Sequence, residues 1–220
     1  LPQGLKTLEK IAFSGNAGIT GVDLTKATQL TALPESAFNQ CGLTGVLRIP
    51  DWIQSIGAKA VGDSKLETIY LPKKADPANT KFLVSNSFGS ITSTTLRALV
   101  CADAEDYAYV KTVLTGSKYP QRLSYETTVR FLDGSDTVGT IERLYNQPYN
   151  FVKDAQGNWA ADSSYQFPQI SGKQWGLTAS SLNPVKPTDL VTTDTLHSFI
   201  SLEKPVITYS DGIDKVYDGV

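Results

Sequence analysis

Residues 30–38 read Leu30-Thr31-Ala32-Leu33-Pro34-Glu35-Ser36-Ala37-Phe38, and residues 53–61 read Ile53-Gln54-Ser55-Ile56-Gly57-Ala58-Lys59-Ala60-Val61. At an offset of 23, Leu30 falls on Ile53, Leu33 on Ile56, Ala37 on Ala60 and Phe38 on Val61. The same offset carries Cys41 onto Ser64, Leu43 onto Leu66 and Val46 onto Ile69, and one residue of slippage later Ile49-Pro50 matches Leu71-Pro72. Units this short expose an apolar edge that none can bury alone, so neighbouring units must cover one another. The repeated apolar positions are therefore expected to be core. Ala37 and Ala60 let adjacent turns approach closely, and Phe38 and Val61 fill the interior.

Outward from this stretch, an apolar pair three residues apart recurs along the first hundred residues. The pairs are Leu8/Ile11, Ile19/Val22, Leu30/Leu33, Leu43/Val46, Ile53/Ile56, Leu66/Ile69 and Leu96/Leu99, with starts separated by 11, 11, 13, 10, 13 and 30 residues. The last gap predicts an insertion around Lys73–Lys81, where Pro72, Pro77 and lysines read as a surface loop. A period of about 20–29 residues with an L-x-x-L-x-L core is the signature of leucine-rich repeats. Short strands such as 46–49 and 69–71 should then form a narrow parallel sheet with rungs ~4.8 Å apart.

The run LTALPESAFNQCGLTGVLRIPDWIQSIGAKAVGDSKLETIYLP, residues 30–72, resembles the BspA-type leucine-rich repeat of bacterial cell-surface proteins. That family writes L-x-x-I-P-x-x-A-F-x-x-C and then L-x-x-I-x-I-P. The resemblance covers about residues 5–101, departing at Val61 for Phe, at Ser64 for Cys and in the long insertion. It implies an extracellular, surface-displayed protein on a bacterial cell, often an adhesin, with no enzymatic activity of its own.

An open end of such a stack needs covering. The stretch Asp103–Leu114 is the expected helical cap, extending to about 117, because Tyr107, Val110, Val113 and Leu114 fall at helical spacing. Asp103, Glu105 and Asp106 in its first turn complement the helix dipole and lack the alternating ligands of a calcium loop. Gly116 and Pro120 should end it. From Ser124 the texture changes. Val129 and Phe131 alternate with Arg130 and Leu132 before an Asp133-Gly134 turn, and further strands are expected through 140–145 and 196–202.

The expected architecture is thus an α/β leucine-rich-repeat solenoid with a short helical cap over residues 1–123. A small all-β domain follows over 124–205, weakly resembling β-grasp or immunoglobulin-like surface repeats through VRFLDGSDTVGTI. Residues 206–220 read as a strand of a truncated following module, since Lys215-Val216-Tyr217-Asp218-Gly219 resembles the opening of immunoglobulin-like surface repeats. No Met occurs, position 1 included, so the chain reads as part of a longer product.

Composition narrows function. The 220 residues carry a net charge of −2 and only 19% charged residues, which argues against an electrostatic grip on nucleic acid. No apolar run approaches the ~20 residues of a membrane helix, so no membrane insertion is expected within this segment. Cys41 and Cys101 fit neither a metal-ligand spacing nor a disulfide framework and read as buried free thiols, with a single bridge as the alternative. The single histidine, His197, lies in a strand pattern without a nucleophile nearby, and no G-x-S-x-G, Walker loop, H-E-x-x-H or paired C-x-x-C occurs. Asp211-Gly212-Ile213-Asp214 is no calcium loop. No enzyme, cofactor or metal is implied.

Binding remains. Asp23, Arg48, Tyr70 and Arg97 would project from the sheet between core positions, and Arg and Tyr combine apolar area with hydrogen bonding. Ordinary solvated strand positions are the competing reading. Trp52, Trp159 and Trp175 raise a second possibility, because exposed rings stack on sugars; core edges are the alternative. Three functions follow: an adhesin binding an extracellular protein or glycan through the repeat face, a carbohydrate-binding module with tryptophans along one groove, or a passive surface spacer.

Overall fold

The computed structural model describes residues 1–74, 76, 78–79, 82–89, 95–115, 119–199, 206–208 and 214–216. The chain is mostly β, with one α-helix among the described residues. In chain order the elements are β1 Ala32–Leu33, β2 Thr44–Arg48, β3 Ser55–Ile56, β4 Lys65–Tyr70, β5 Ala98–Cys101, α1 Ala104–Val113, β6 Leu123–Asp133 and β7 Asp136–Leu144. Then come β8 Phe151–Lys153, β9 Trp159–Ala161, β10 Gln174–Gly176, β11 Thr195–Phe199, β12 Val206–Thr208 and β13 Asp214–Val216.

The offset read from the sequence is a physical stacking. β1 pairs with β3 in parallel, Leu33 opposite Ile56. Ser36, Phe38 and Gln40 donate their backbone N–H groups to Ala58, Ala60 and Gly62 at 2.8, 2.8 and 2.9 Å. One layer earlier, Ile11, Phe13 and Gly15 donate to Glu35, Ala37 and Asn39 at 3.1, 2.9 and 2.9 Å. Left-handed backbone recurs in step: Ser36 and Lys59 have φ of 54° and 52°, Gln40 and Asp63 have 57° and 50°. These residues turn the chain sharply at equivalent corners, which is why each layer repeats its path. Leu30, Leu33, Ala37, Phe38 and their counterparts Ile53, Ile56, Ala60 and Val61 are all buried. Where Pro34 stands in one layer Gly57 stands in the next, and a Cβ there would lie 2.7 Å from the Glu35 nitrogen.

A second parallel ladder runs β2–β4–β5–β6. Leu47, Ile69, Leu99 and Leu123 stand opposite one another and face the core. Three expectations need correcting here. Val46 is not the counterpart of Ile69: it is half-buried and pairs with Thr68, because a register shift between Gly45 and Val46 brings Leu47 opposite Ile69. Ile11 is not the core partner of Leu8: it is 64% exposed at φ 64°, while Phe13 stacks on Phe38 at 5.2 Å. Ile11 occupies the corner that Ser36 and Lys59 take later, so the backbone turn decides its direction rather than its hydrophobicity. The insertion is also divided. Leu83 bridges to Ile56 at an offset of 27, whereas Ile69 and Leu99 pair at 30, so added length lies both before Leu83 and between Leu83 and Leu99.

The helix forms where expected, with Asp103 as N-cap accepting from the Asp106 nitrogen at 2.9 Å. Gly116, expected to end it, lies outside the described residues; Leu114 is the C-cap. The ladder does not stop at this helix, as a terminal cap would require. α1 is the crossover between the parallel strands β5 and β6, a connection that parallel pairing demands. Its Val110 and Leu114 are buried in the repeat core.

β6 then serves two neighbourhoods. Leu123, Ser124 and Tyr125 pair with β5, whereas Glu126–Asp133 pair antiparallel with β7 and Arg130, Phe131 and Leu132 pair parallel with β11. Val129 and Phe131 face a separate core with Tyr149, Phe167, Trp175 and Leu196. The strand expected over 196–202 is β11, Thr195–Phe199; residues 200–202 lie outside the described residues. In the tail, expected to hold a single strand, two are found: β13 pairs antiparallel with β12, Val216 opposite Val206. Residues 209–213 and those from 217 lie outside the described residues.

Candidate binding site on the outer face of the parallel ladder

Along the ladder, side chains alternate between faces, so the residues flanking each core position point away from the core. Arg48, Tyr70 and Val100 stand opposite one another in β2, β4 and β5 and make one such outward row. Arg48 is exposed and Tyr70 half-buried. The Arg48 guanidinium lies 3.7 Å from the Tyr70 ring centre, a cation–π contact. Arg48 also donates to the Gly157 carbonyl at 3.1 Å, and the Tyr70 hydroxyl reaches the same oxygen at 3.5 Å. Burial raises the Tyr70 pKa, with the Arg48 charge opposing it.

Gly157 belongs to the turn between β8 and β9. The Asp154 carboxylate accepts from the Asn158 and Gln156 nitrogens at 2.8 and 2.9 Å, and Gly157 sits at φ 78°, which a Cβ would strain. The Asn158 backbone bond, foremost among these donors, holds the Asp154 pKa below its ordinary value. The hairpin carrying this turn lies on the outward face of the ladder. Phe151 and Trp159, with ring centres 6.4 Å apart, pack with Leu144 against Ala98, Val100 and Tyr70. Lys153 pairs with Glu126 at 3.0 Å and Glu142 at 3.1 Å, and the Trp159 indole donates to Glu126 at 3.3 Å. The row expected to lie open is therefore covered over β4 and β5 and open at β2.

Of the four residues expected to form a binding face, the structure brings Arg48 and Tyr70 together. Asp23 is exposed and folds its carboxylate onto Thr25, accepting from the hydroxyl at 2.6 Å and the nitrogen at 2.8 Å, which lowers its pKa. Arg97 is exposed and its backbone N–H donates to Glu67 at 2.7 Å. Neither shares a contact with the Arg48–Tyr70 pair among the described residues. The third partner, Gly157, escaped sequence reasoning because it lies 109 residues from Arg48. Asp154-Ala155-Gln156-Gly157 reads as a turn, but nothing in it says what the turn will touch.

Other candidate groups serve the fold. Trp159 and Trp175 are buried at 4% and 5% exposure, and the half-buried Trp52 donates its indole N–H to Ala27 at 3.1 Å. Two of the three rings that a tryptophan-lined groove would need are thus buried, and Trp52 alone stays half-exposed. Asp103 pairs with Lys73 at 3.3 Å, and buried Asp106 accepts from the Lys74 nitrogen at 2.9 Å, so the acidic first turn of α1 pins the 73–74 loop. His197 is half-buried between β6 and β10. Cys41 and Cys101 are both free and buried, and burial raises both thiol pKa values. A groove of about 560 Å³ opens on another side of the repeats, lined by Thr31, Asp51, Gln54, Lys73, Asp76 and Phe82.

Residues 1–96 match the model of the BspA type leucine-rich-repeat region, in six copies. No curated protein and no solved structure matches the chain. Residues 1–96, under half of the chain, are thus similar to leucine-rich repeats of that type. Such repeats are in general non-enzymatic scaffolds that mediate protein binding, typically on bacterial surfaces. None of the helices among the described residues is long and apolar enough to cross a membrane.

Proposed function

We propose that the chain is a non-enzymatic bacterial cell-surface protein. In this reading its repeats form a solenoid over about residues 1–123, and residues 124–205 form a small all-β domain built on the last rung. The segment from 206 begins a further module. The protein acts as an adhesin, binding an extracellular macromolecule through the part of the repeat face that the β8–β9 hairpin leaves open. The observation that carries this reading is the exposed Arg48, held on Tyr70 beside the hairpin turn at the uncovered end of the outward row.

The test is a binding screen of the purified chain against arrayed matrix glycoproteins and glycans. A saturable hit weakened by Arg48→Ala supports the reading; a hit indifferent to that change moves the site to the β domain or to the lateral groove. One observation favours a second reading, a passive spacer. The hairpin already fills much of the face that repeats would offer to a partner. Silence across the array is the result that reading expects.

A further inference from the structure

Five arginines occur in the chain, and their environments differ. Arg130 pairs with Asp194 at 3.6 Å; Arg143 is buried and donates to the Tyr149 and Glu142 carbonyls; Arg122 donates to the Leu96 carbonyl. Arg97 is exposed with no side-chain anchor among the described residues. Arg48 alone among the described residues combines exposure with fixation by both an aromatic ring and a backbone carbonyl, and no carboxylate there pairs with it. A long side chain normally loses rotamer freedom when it captures a ligand. Here the ring and the Gly157 oxygen have already removed much of that freedom, while the charge stays uncompensated. A guanidinium matches the geometry of a carboxylate, whose two oxygens can accept from two of its N–H groups.

We infer that Arg48 is the receptor for an acidic side chain of a protein partner, at β2 beside the β8–β9 turn. This rests on the reading that the open repeat face binds a macromolecule, and it names the chemistry that face selects. A protein carboxylate is favoured over a glycan one because Trp159 and Trp175 are buried and the half-buried Trp52 spends its indole N–H on the Ala27 carbonyl, so no fully exposed indole offers a platform for a sugar ring.

The experiment uses the whole chain and needs no natural partner. Arginine side-chain Nε–H signals and the Gly157 amide are followed by NMR while a glycine-flanked glutamyl peptide, its glutaminyl counterpart or glucuronate is added. The expected result is a saturable shift at Arg48 and Gly157 with the glutamyl peptide, absent with the glutaminyl one and several-fold larger than at Arg97. Arg48→Lys keeps the charge but not the fork, and should lose the Gly157 response while the rest of the spectrum stays folded. Equal responses at Arg48 and Arg97, or to both peptides, overturn the inference as simple ionic or non-specific contact. A response to glucuronate without one to the glutamyl peptide overturns it in favour of a glycan. If the chain captures an arrayed protein while Arg48 stays unresponsive, the carboxylate inference fails and the adhesin reading survives. If Arg48 responds and the array is silent, the reverse holds.

Discussion

At the scale of single residues, the glycine at the hairpin turn carries more than its size suggests. Gly157 holds φ 78° and offers its carbonyl to Arg48, so Gly157→Ala sets a strained backbone against the contact. The expected cost is about 1 kcal/mol, read as a lowered midpoint in denaturant unfolding, together with a broadened Arg48 side-chain signal. Tyr119 makes a comparable tie inside the repeats, its buried hydroxyl donating to the Gly89 carbonyl. Tyr119→Phe should cost about 1 kcal/mol through the lost bond. Burial also pushes the Tyr119 pKa from 10.0 up to about 12. A folded pKa above the unfolded one means that its stabilisation is whole below pH 10.0 and fades as pH rises toward about 12. Unfolding midpoints measured across that window should fall for the parent chain and fall less for Tyr119→Phe.

At the scale of elements, the repeated corners set the rules. Ile11 holds a left-handed backbone that β-branched residues resist, and its side chain gains little by facing water. Ile11→Asn should therefore raise stability by about 1 kcal/mol, measured by thermal or denaturant unfolding. Gly57→Ala has the opposite sign, because its Cβ would press on the backbone of the layer beneath; a loss of about 2 kcal/mol is expected in the same measurement. These positions also explain what the sequence disclosed. The buried counterparts Leu33 and Ile56, or Phe38 and Val61, were legible because burial repeats with the chain's own period. Ile11 was misread because an apolar pair three apart looks the same whether its second member faces in or turns a corner. The divided insertion was hidden for a related reason: a gap between two matching motifs gives a total length, not where that length is placed.

At the scale of the molecule, β6 joins what composition separates. The change of texture at Ser124 was visible, and the strand running through it was not, because β5 and β11 reach β6 from separate stretches of chain, while only β7 follows it directly. The Arg48–Gly157 contact was invisible for the same reason. With β6 shared and Phe151 and Trp159 seated on Ala98 and Val100, the repeats and the β-rich part are expected to unfold together. Fluorescence of the tryptophans and far-ultraviolet circular dichroism should report one coincident transition; two separated transitions would show that the parts are independent.

The shared strand also settles how the molecule would carry a load. A pull that separated the β-rich part from the repeats would act along β6, across three facing pairs, Leu99 with Leu123, Val100 with Ser124 and Cys101 with Tyr125. Because β5 and β6 are parallel, tension along them stresses those hydrogen bonds in concert instead of peeling them open one by one. The seated hairpin adds a brace alongside the same joint, so a chain tugged by a bound partner would resist there by shear and not by unzipping.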